Sequence, residues 1–192
     1  MPAADPLPRL VNGVILRRLA PSDVAAFQAY RSDAELGKYQ GWSAVPDAEA
    51  LAFLERMRAV ELFRPGEWSQ IGIATSTDPA LIGDIGLFLS SDARHAEVGF
   101  TLRREFQGRG IATIGVAESV KLLFAHTTAE HVLGITDARN QPSIRLLERL
   151  GMRKAESRVQ YSKARIASNS STLWQGPSTL VANRSSRSGG GD

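Results

Sequence analysis

Two hydrophobic periods alternate along this chain. Val14-Ile15-Leu16-Arg17-Arg18-Leu19 reads as a first strand, and Ala20-Pro21-Ser22-Asp23 supplies helix-start chemistry. Ser22 or Asp23 is placed to cap a helix running to about Tyr30. Gly37 to Pro46 is loop-like and aromatic. Leu51, Leu54, Met57 and Leu62 then fall near helical spacing, which predicts a second helix from Asp47 to about Phe63, stopped by Arg64-Pro65-Gly66. Three strands follow, Trp68 to Thr75, Ala80 to Ser90 and Arg94 to Leu102. Turns at Thr77-Asp78-Pro79 and Ser91-Asp92-Ala93 join them, so an antiparallel meander is the economical arrangement.

The stretch Gln107-Gly108-Arg109-Gly110-Ile111-Ala112 ends the meander and opens a helix, because Ile111, Ile114, Ala117, Val120 and Phe124 return to helical spacing. A glycine-rich turn at a helix N-terminus offers unpaired N–H groups, the positive end of the helix dipole and close approach to the main chain. It predicts an anion site, most simply for a pyrophosphate. His131 to Thr136 is the next strand. A strand, a crossover helix and another strand imply that 94–102 and 131–136 run parallel, with the turn at the carboxyl end of a strand, where such sheets bind ligands. Asn140 is placed to cap a further helix, which tolerates Pro142 in its first turn, carries Leu146, Leu147 and Leu150, and ends at Gly151. Met152 begins another strand.

Composition narrows the function classes. A chain of 192 residues, 43% hydrophobic and 22% charged, supports one domain with a real core. The absence of cysteine removes disulfides, thiolate metal sites and a cysteine nucleophile, and suggests a cytoplasmic setting. No run is apolar enough to span a membrane, and Met1-Pro2-Ala3-Ala4-Asp5-Pro6 lacks the order of a signal peptide. His95, His126 and His131 show no metal-ligand spacing, so no metal is expected. The isoelectric point of 9.6 raises a nucleic-acid reading. Lys163, Arg165, Arg184 and Arg187 against Asp192, however, give residues 160–192 the whole chain's net charge of +3. The rest is neutral, and a basic tail is not a basic groove; no nucleic-acid or membrane partner is expected.

In order and in residues the chain resembles the GNAT superfamily of acetyl-CoA-dependent N-acetyltransferases, and within it the Rim-type ribosomal-protein-alanine branch. The superfamily's pyrophosphate motif, Q/R-x-x-G-x-G/A, is met by Gln107, Gly110 and Ala112. Leu81-Ile82-Gly83-Asp84-Ile85-Gly86-Leu87, Glu97-Val98-Gly99-Phe100 and the N-x-x-S pattern at Asn140 and Ser143 extend the match over residues 13 to about 158. The resemblance implies an α+β (mixed α/β) fold: a central, mostly antiparallel sheet with a parallel splayed strand pair, flanked by helices on both faces. Its domain would cover 13–160, with an N-terminal extension over 1–12.

The resemblance also implies roles. Acetyl-CoA, a co-substrate, would lie along Phe100, Thr101 and Leu102, with its pyrophosphate on Gln107, Gly108, Arg109, Gly110, Ile111 and Ala112 and further contacts from Asn140 and Ser143. Arg109 either pairs with phosphate or stands in solvent. Glu97 is the candidate base, acting directly or through water, unless strand alternation points it at solvent or into a salt bridge with Arg94 or Arg103. Ser143 is the candidate for contacting the CoA sulfur or relaying a proton to it, alongside helix capping beside Asn140. Relatives place a tyrosine acid where this chain has Leu147, which leaves the general acid open. Tyr39 and Trp42 border the acceptor site or pack over the sheet. The acceptor is a primary amine, with a protein N-terminal α-amine preferred over a small-molecule amine, antibiotic or polyamine; the alternative outside enzymes is a non-catalytic CoA-binding domain. A monomer or homodimer is expected.

Relatives close with one more strand. Residues 161–192 read instead as a disordered, low-complexity tail: Ser168-Asn169-Ser170-Ser171-Thr172 and Asn183 to Asp192 are polar and without periodicity. A one-base shift of reading frame from Ala164 to Thr179 can encode a strand-like segment. The expectation is therefore that a frameshift replaced the last strand and left an exposed sheet edge.

Overall fold

Alternating side chains give the central sheet two different faces. A computed structural model of the chain describes residues 5–40, 42–161 and 168–177. Among them are eight strands: β1 (Arg9–Val11), β2 (Val14–Arg18), β3 (Trp68–Thr75), β4 (Gly83–Leu89), β5 (His95–Leu102), β6 (His131–Asp137), β7 (Arg153–Tyr161) and β8 (Ser168–Pro177). They form one sheet in the order β1-β2-β3-β4-β5-β6-β8-β7. Every neighbouring pair is antiparallel except β5 and β6.

One face buries Leu16, Ile73, Ile85, Leu87 and Val98 against Val116, Val120 and Leu123 of α4 (Ile111–His126), with Leu146 and Leu147 of α5 (Gln141–Arg149) closing the same core. The other face carries a smaller core. Leu19 and Leu81 pack there with Phe27 and Tyr30 of α1 (Val24–Arg31) and Leu54 and Met57 of α3 (Asp47–Ala59). The short α2 (Ala34–Gly37), capped by the Asp33 carboxylate, lies between α1 and α3 in the chain. Helices thus flank both faces, as expected for the mixed fold.

The parallel pair splays. β5 and β6 are in register only from His95 opposite His131 to Val98 opposite Gly134; beyond that β5 runs on to Leu102 and β6 to Asp137 without pairing to each other. Gly134 at the fork admits α5: a Cβ there would come within 2.9 Å of the Leu147 side chain.

Several expectations are corrected. Residues 9–11, assigned to an extension, form edge strand β1, because Asn12 (φ 46°) and Gly13 (φ 78°) make the two-residue hairpin turn that twisted strands favour. The second helix ends at Ala59, short of Phe63, which sits at φ 62° where no helix continues. Asp23 does not cap α1. Its carboxylate accepts from the Ala20 N–H at 2.8 Å and pairs bidentately with Arg17. The sheet is not left without its closing strand: β8 occupies 168–177 between β6 and β7, paired on both edges. Main-chain hydrogen bonds on two sides hold such a strand without side-chain alternation. The β6 edge that a missing strand would leave exposed is therefore covered, and among the described residues the sheet ends at β7.

Candidate active site

The glycine turn joins β5 to α4. After Leu102 the chain makes a single 3-10 turn at Arg104–Phe106, and Gly108 and Gly110 then take φ of 75° and 78°. Such dihedrals favour glycine, and a Cβ at either position would meet nothing within 4 Å, so the space over the turn is open. Gly110 precedes the first residue of α4, where the leading N–H groups of a helix lack partners within it. The Gln107 side-chain amide donates to the Leu102 carbonyl at 2.8 Å and ties the turn to the end of its strand.

A cleft of about 420 Å³ opens over the turn. Its walls include the predicted Tyr39, Phe100, Thr101, Leu102, Gln107, Gly108, Gly110, Ile111, Ala112, Asn140 and Ser143. A small space of about 30 Å³ continues it into the splay, between Val98, Gly99 and Phe100 on one side and Gly134, Ile135 and Thr136 on the other. Ser143 borders both. The helix start is as predicted, with the Asn140 side chain accepting from the Ser143 N–H at 3.3 Å. Leu147 is buried against Gly134 and presents no acid.

The cleft also has walls that the sequence reading did not name. Arg145 and Arg149, four apart on α5, bring two cations to its rim. That spacing, following the capped start at Asn140, is the signal that could have found them. Gln40 lines the cleft and donates from its side-chain amide to the Phe100 carbonyl at 3.2 Å. A strand residue points its N–H and C=O to the same edge, so the Phe100 and Leu102 N–H groups face the splay alongside those carbonyls.

Glu97, Trp42 and Arg109 do not line the cleft. Glu97 lies one residue before the last pair of β5 with β6, and its side chain projects from the face opposite α4, beside Phe88. It is half-buried, and burial raises its carboxyl above the usual range, with His95 pulling weakly the other way. The two salt-bridge partners considered for it are committed elsewhere, Arg94 to Glu130 at 3.1 Å and Arg103 to Glu105. The Arg109 guanidinium lies 5.7 Å from the centre of the Phe106 ring.

Trp42 stacks on Arg31, whose guanidinium carbon is 4.3 Å from the ring centre. Arg31 in turn reaches the buried Asp84 at 3.1 Å. Asp84 also accepts from the Tyr30 hydroxyl and, at 2.6 Å, from the Gln70 amide. Burial and the adjacent carboxylate hold the Tyr30 hydroxyl protonated far above its ordinary range, so it serves as a donor. The network anchors the aromatic loop to the sheet, on the face that carries Glu97.

A family model described as acetyltransferase (GNAT) domain matches residues 14–153, and the chain belongs to that family. It is 25% identical over 152 residues to an uncharacterized N-acetyltransferase p20 of Bacillus licheniformis, covering 78% of this chain and 84% of that protein. Among solved structures it superposes on RimL, a ribosomal L7/L12 alpha-N-protein acetyltransferase in complex with coenzyme A, with a TM-score of 0.76 at 15% identity, over 88% of this chain and 96% of the other. It also superposes on a spermidine N-acetyltransferase of Vibrio cholerae in complex with CoA and spermine, with a TM-score of 0.75 at 15% identity, over 90% of this chain and all of the other. The protein is an acetyl-CoA-dependent N-acetyltransferase. Among the described residues no cluster of three His, Asp or Glu is placed to hold a metal, and no helix is long and apolar enough to cross a membrane.

Proposed function

We propose that the acceptor is the α-amino group of a protein N-terminus, which places the chain with the Rim-type enzymes. The observation that carries this reading is Glu97, a half-buried carboxylate with a raised pKa and no ion-pair partner among the described residues, on the face of the sheet opposite α4 beside the splay. A peptide α-amine, with a pKa near ~8, needs only modest help to lose its proton; a lysine amine near ~10.4 needs more. A polyamine would call for several free carboxylates. Asp84, on the same face, is already bound by Arg31, Tyr30 and Gln70, and Asp137 at the end of β6 is paired with Arg139.

In this reading acetyl-CoA enters from the α4 side. Its pyrophosphate rests on the turn at Gly108 and Gly110, flanked by Arg145 and Arg149, and its thioester reaches into the splay. The amine approaches from the Glu97 face and gives its proton to Glu97 directly or through water. Its nitrogen then bonds to the thioester carbon while main-chain N–H groups of β5 stabilise the oxyanion. The C–S bond breaks, and the second proton leaves the nitrogen and is relayed through the Ser143 hydroxyl to the departing thiolate. Tyr39 borders the cleft at the junction of the two approaches.

Thiol release from acetyl-CoA, measured over free-amino peptides, the same peptides N-formylated, and spermidine, tests the assignment. Turnover confined to free N-termini is expected. Turnover on spermidine alone would overturn it, and tight acetyl-CoA binding by calorimetry with no turnover on any amine would favour a non-catalytic domain.

A further inference from the structure

Trp68 and Phe88 have no part in the chemistry above, yet they stand in the same cross-strand row as Glu97. Register sets Trp68 opposite Phe88 and Phe88 opposite Glu97, so the three side chains share one face. The two ring centroids are 5.6 Å apart, with planes inclined at 41°. The next row on this face is Gln70, Gly86 and Gly99. A Cβ at Gly86 would come within 3.2 Å of the Trp68 ring, whereas at Gly99 it would meet nothing within 4 Å. The Trp68 ring therefore leans over Gly86, and Gly99 is bare floor leading to the splay.

Among the described residues, Trp68, Phe88 and Glu97 are not part of the core that the helices build on this face. The second core reaches the face at Gly72, whose added Cβ would meet Leu81 and Leu19, and stops short of the Trp68 row. Trp68 stays 44% exposed, and Ile135, the first β6 residue past the last pair, 47%. Single exposed apolar residues need no explanation. Here an aromatic pair and an aliphatic side chain surround a glycine floor, and among the described residues the uncommitted charge beside it, Glu97, is negative.

We infer that Trp68 and Phe88 form an acceptor subsite for an apolar or aromatic side chain at the second residue of the substrate's N-terminus. The inference rests on the α-amine reading. Glu97 attracts the amine, and the floor at Gly99 continues the splay where the thioester waits. Neighbouring strands lie about 4.8 Å apart, which puts Phe88 about 5 Å and Trp68 about 10 Å from the Glu97 row position. An extended chain advances about 3.4 Å per residue, so with the amine at Glu97 the second side chain falls on this ledge. A glycine there would leave the rings in water, and an aspartate would bring a second negative charge toward Glu97.

The test compares kcat/KM at saturating acetyl-CoA for peptides that differ only at the second residue, Phe, Leu, Gly or Asp, with phenethylamine as a non-peptide probe. The wild-type protein should favour Phe and Leu over Gly by about tenfold or more. Trp68→Ala should remove most of that ratio while leaving the Gly peptide and acetyl-CoA affinity within about twofold, and Trp68→Phe should restore part of it. If Trp68→Ala does not fold, Phe88→Leu reads the same ratio. Peptides acetylated without regard to the second residue, or an equal loss on every peptide, would overturn the subsite and leave the α-amine reading standing. Phenethylamine acetylated with every peptide inert would overturn both.

Discussion

The Gln40 side-chain amide donates to the Phe100 carbonyl at 3.2 Å, on the edge of β5 that β6 leaves unpaired. Gln107 does the same for Leu102 at 2.8 Å. One glutamine thus fastens the aromatic loop and the other the glycine turn to the free edge of a single strand. A hydrogen bond of this kind contributes about 1 kcal/mol net, so Gln40→Ala should speed amide exchange at residues 38–40 about fivefold. Unchanged exchange would mean that the contact does not hold the loop.

Gly110→Asp should weaken acetyl-CoA binding by at least about tenfold, because it adds a strained side chain at φ 78° and a negative charge where the pyrophosphate is placed. Gly110→Ala separates the two effects. It carries only the strain, about 1–2 kcal/mol, and should bind acetyl-CoA better than the aspartate variant. Equal calorimetric affinities for both variants and the wild type would move the cofactor elsewhere.

Glu97→Gln should lower turnover about a hundredfold with acetyl-CoA affinity unchanged, if Glu97 accepts the proton. Stability should move the other way. Burial raises the folded-state pKa of this carboxyl, so its contribution is complete at pH below the unfolded value and is lost as pH rises through the folded value. At neutral pH Glu97→Gln should therefore melt above the wild type, with the difference closing in acid. A variant that is less stable at neutral pH would contradict the cause given for the shift.

Asp84→Asn should destabilise the fold by about 3–5 kcal/mol, since it strips the partner from the buried Arg31. Adding Arg31→Met should recover much of the loss, because the uncompensated charge goes with it. Failure of the second substitution to recover melting temperature would show that the Tyr30 and Gln70 contacts to Asp84 carry the effect instead.

The meander, the crossover helix and the glycine turn were legible because their periods are strong and Gly108 and Gly110 mark a backbone that other residues enter at a cost. β1 is signalled too, by the Asn12-Gly13 pair that suits a two-residue hairpin turn. β8 has no such signal: its place comes from edges offered by β6 and β7, which local sequence does not encode. Of the candidate site, the cofactor half could be read because it is built from contiguous main chain. The acceptor half could not. Glu97, Phe88 and Trp68 are separated by 9 and 20 positions and meet only through strand register.

The place of β8 also bears on how the molecule is made. Among the described residues β7 has no strand neighbour but β8, and β6 meets β8 on the edge away from β5. Residues 168–177 therefore fill a slot between two strands synthesised before them. Until that segment leaves the ribosome, β6 keeps one open edge and β7 has nowhere to dock. Assembly of the sheet therefore waits on residues 168–177, and a nascent chain stalled before residue 168 would hold the glycine turn and the fork with only one of β6's two neighbours in place.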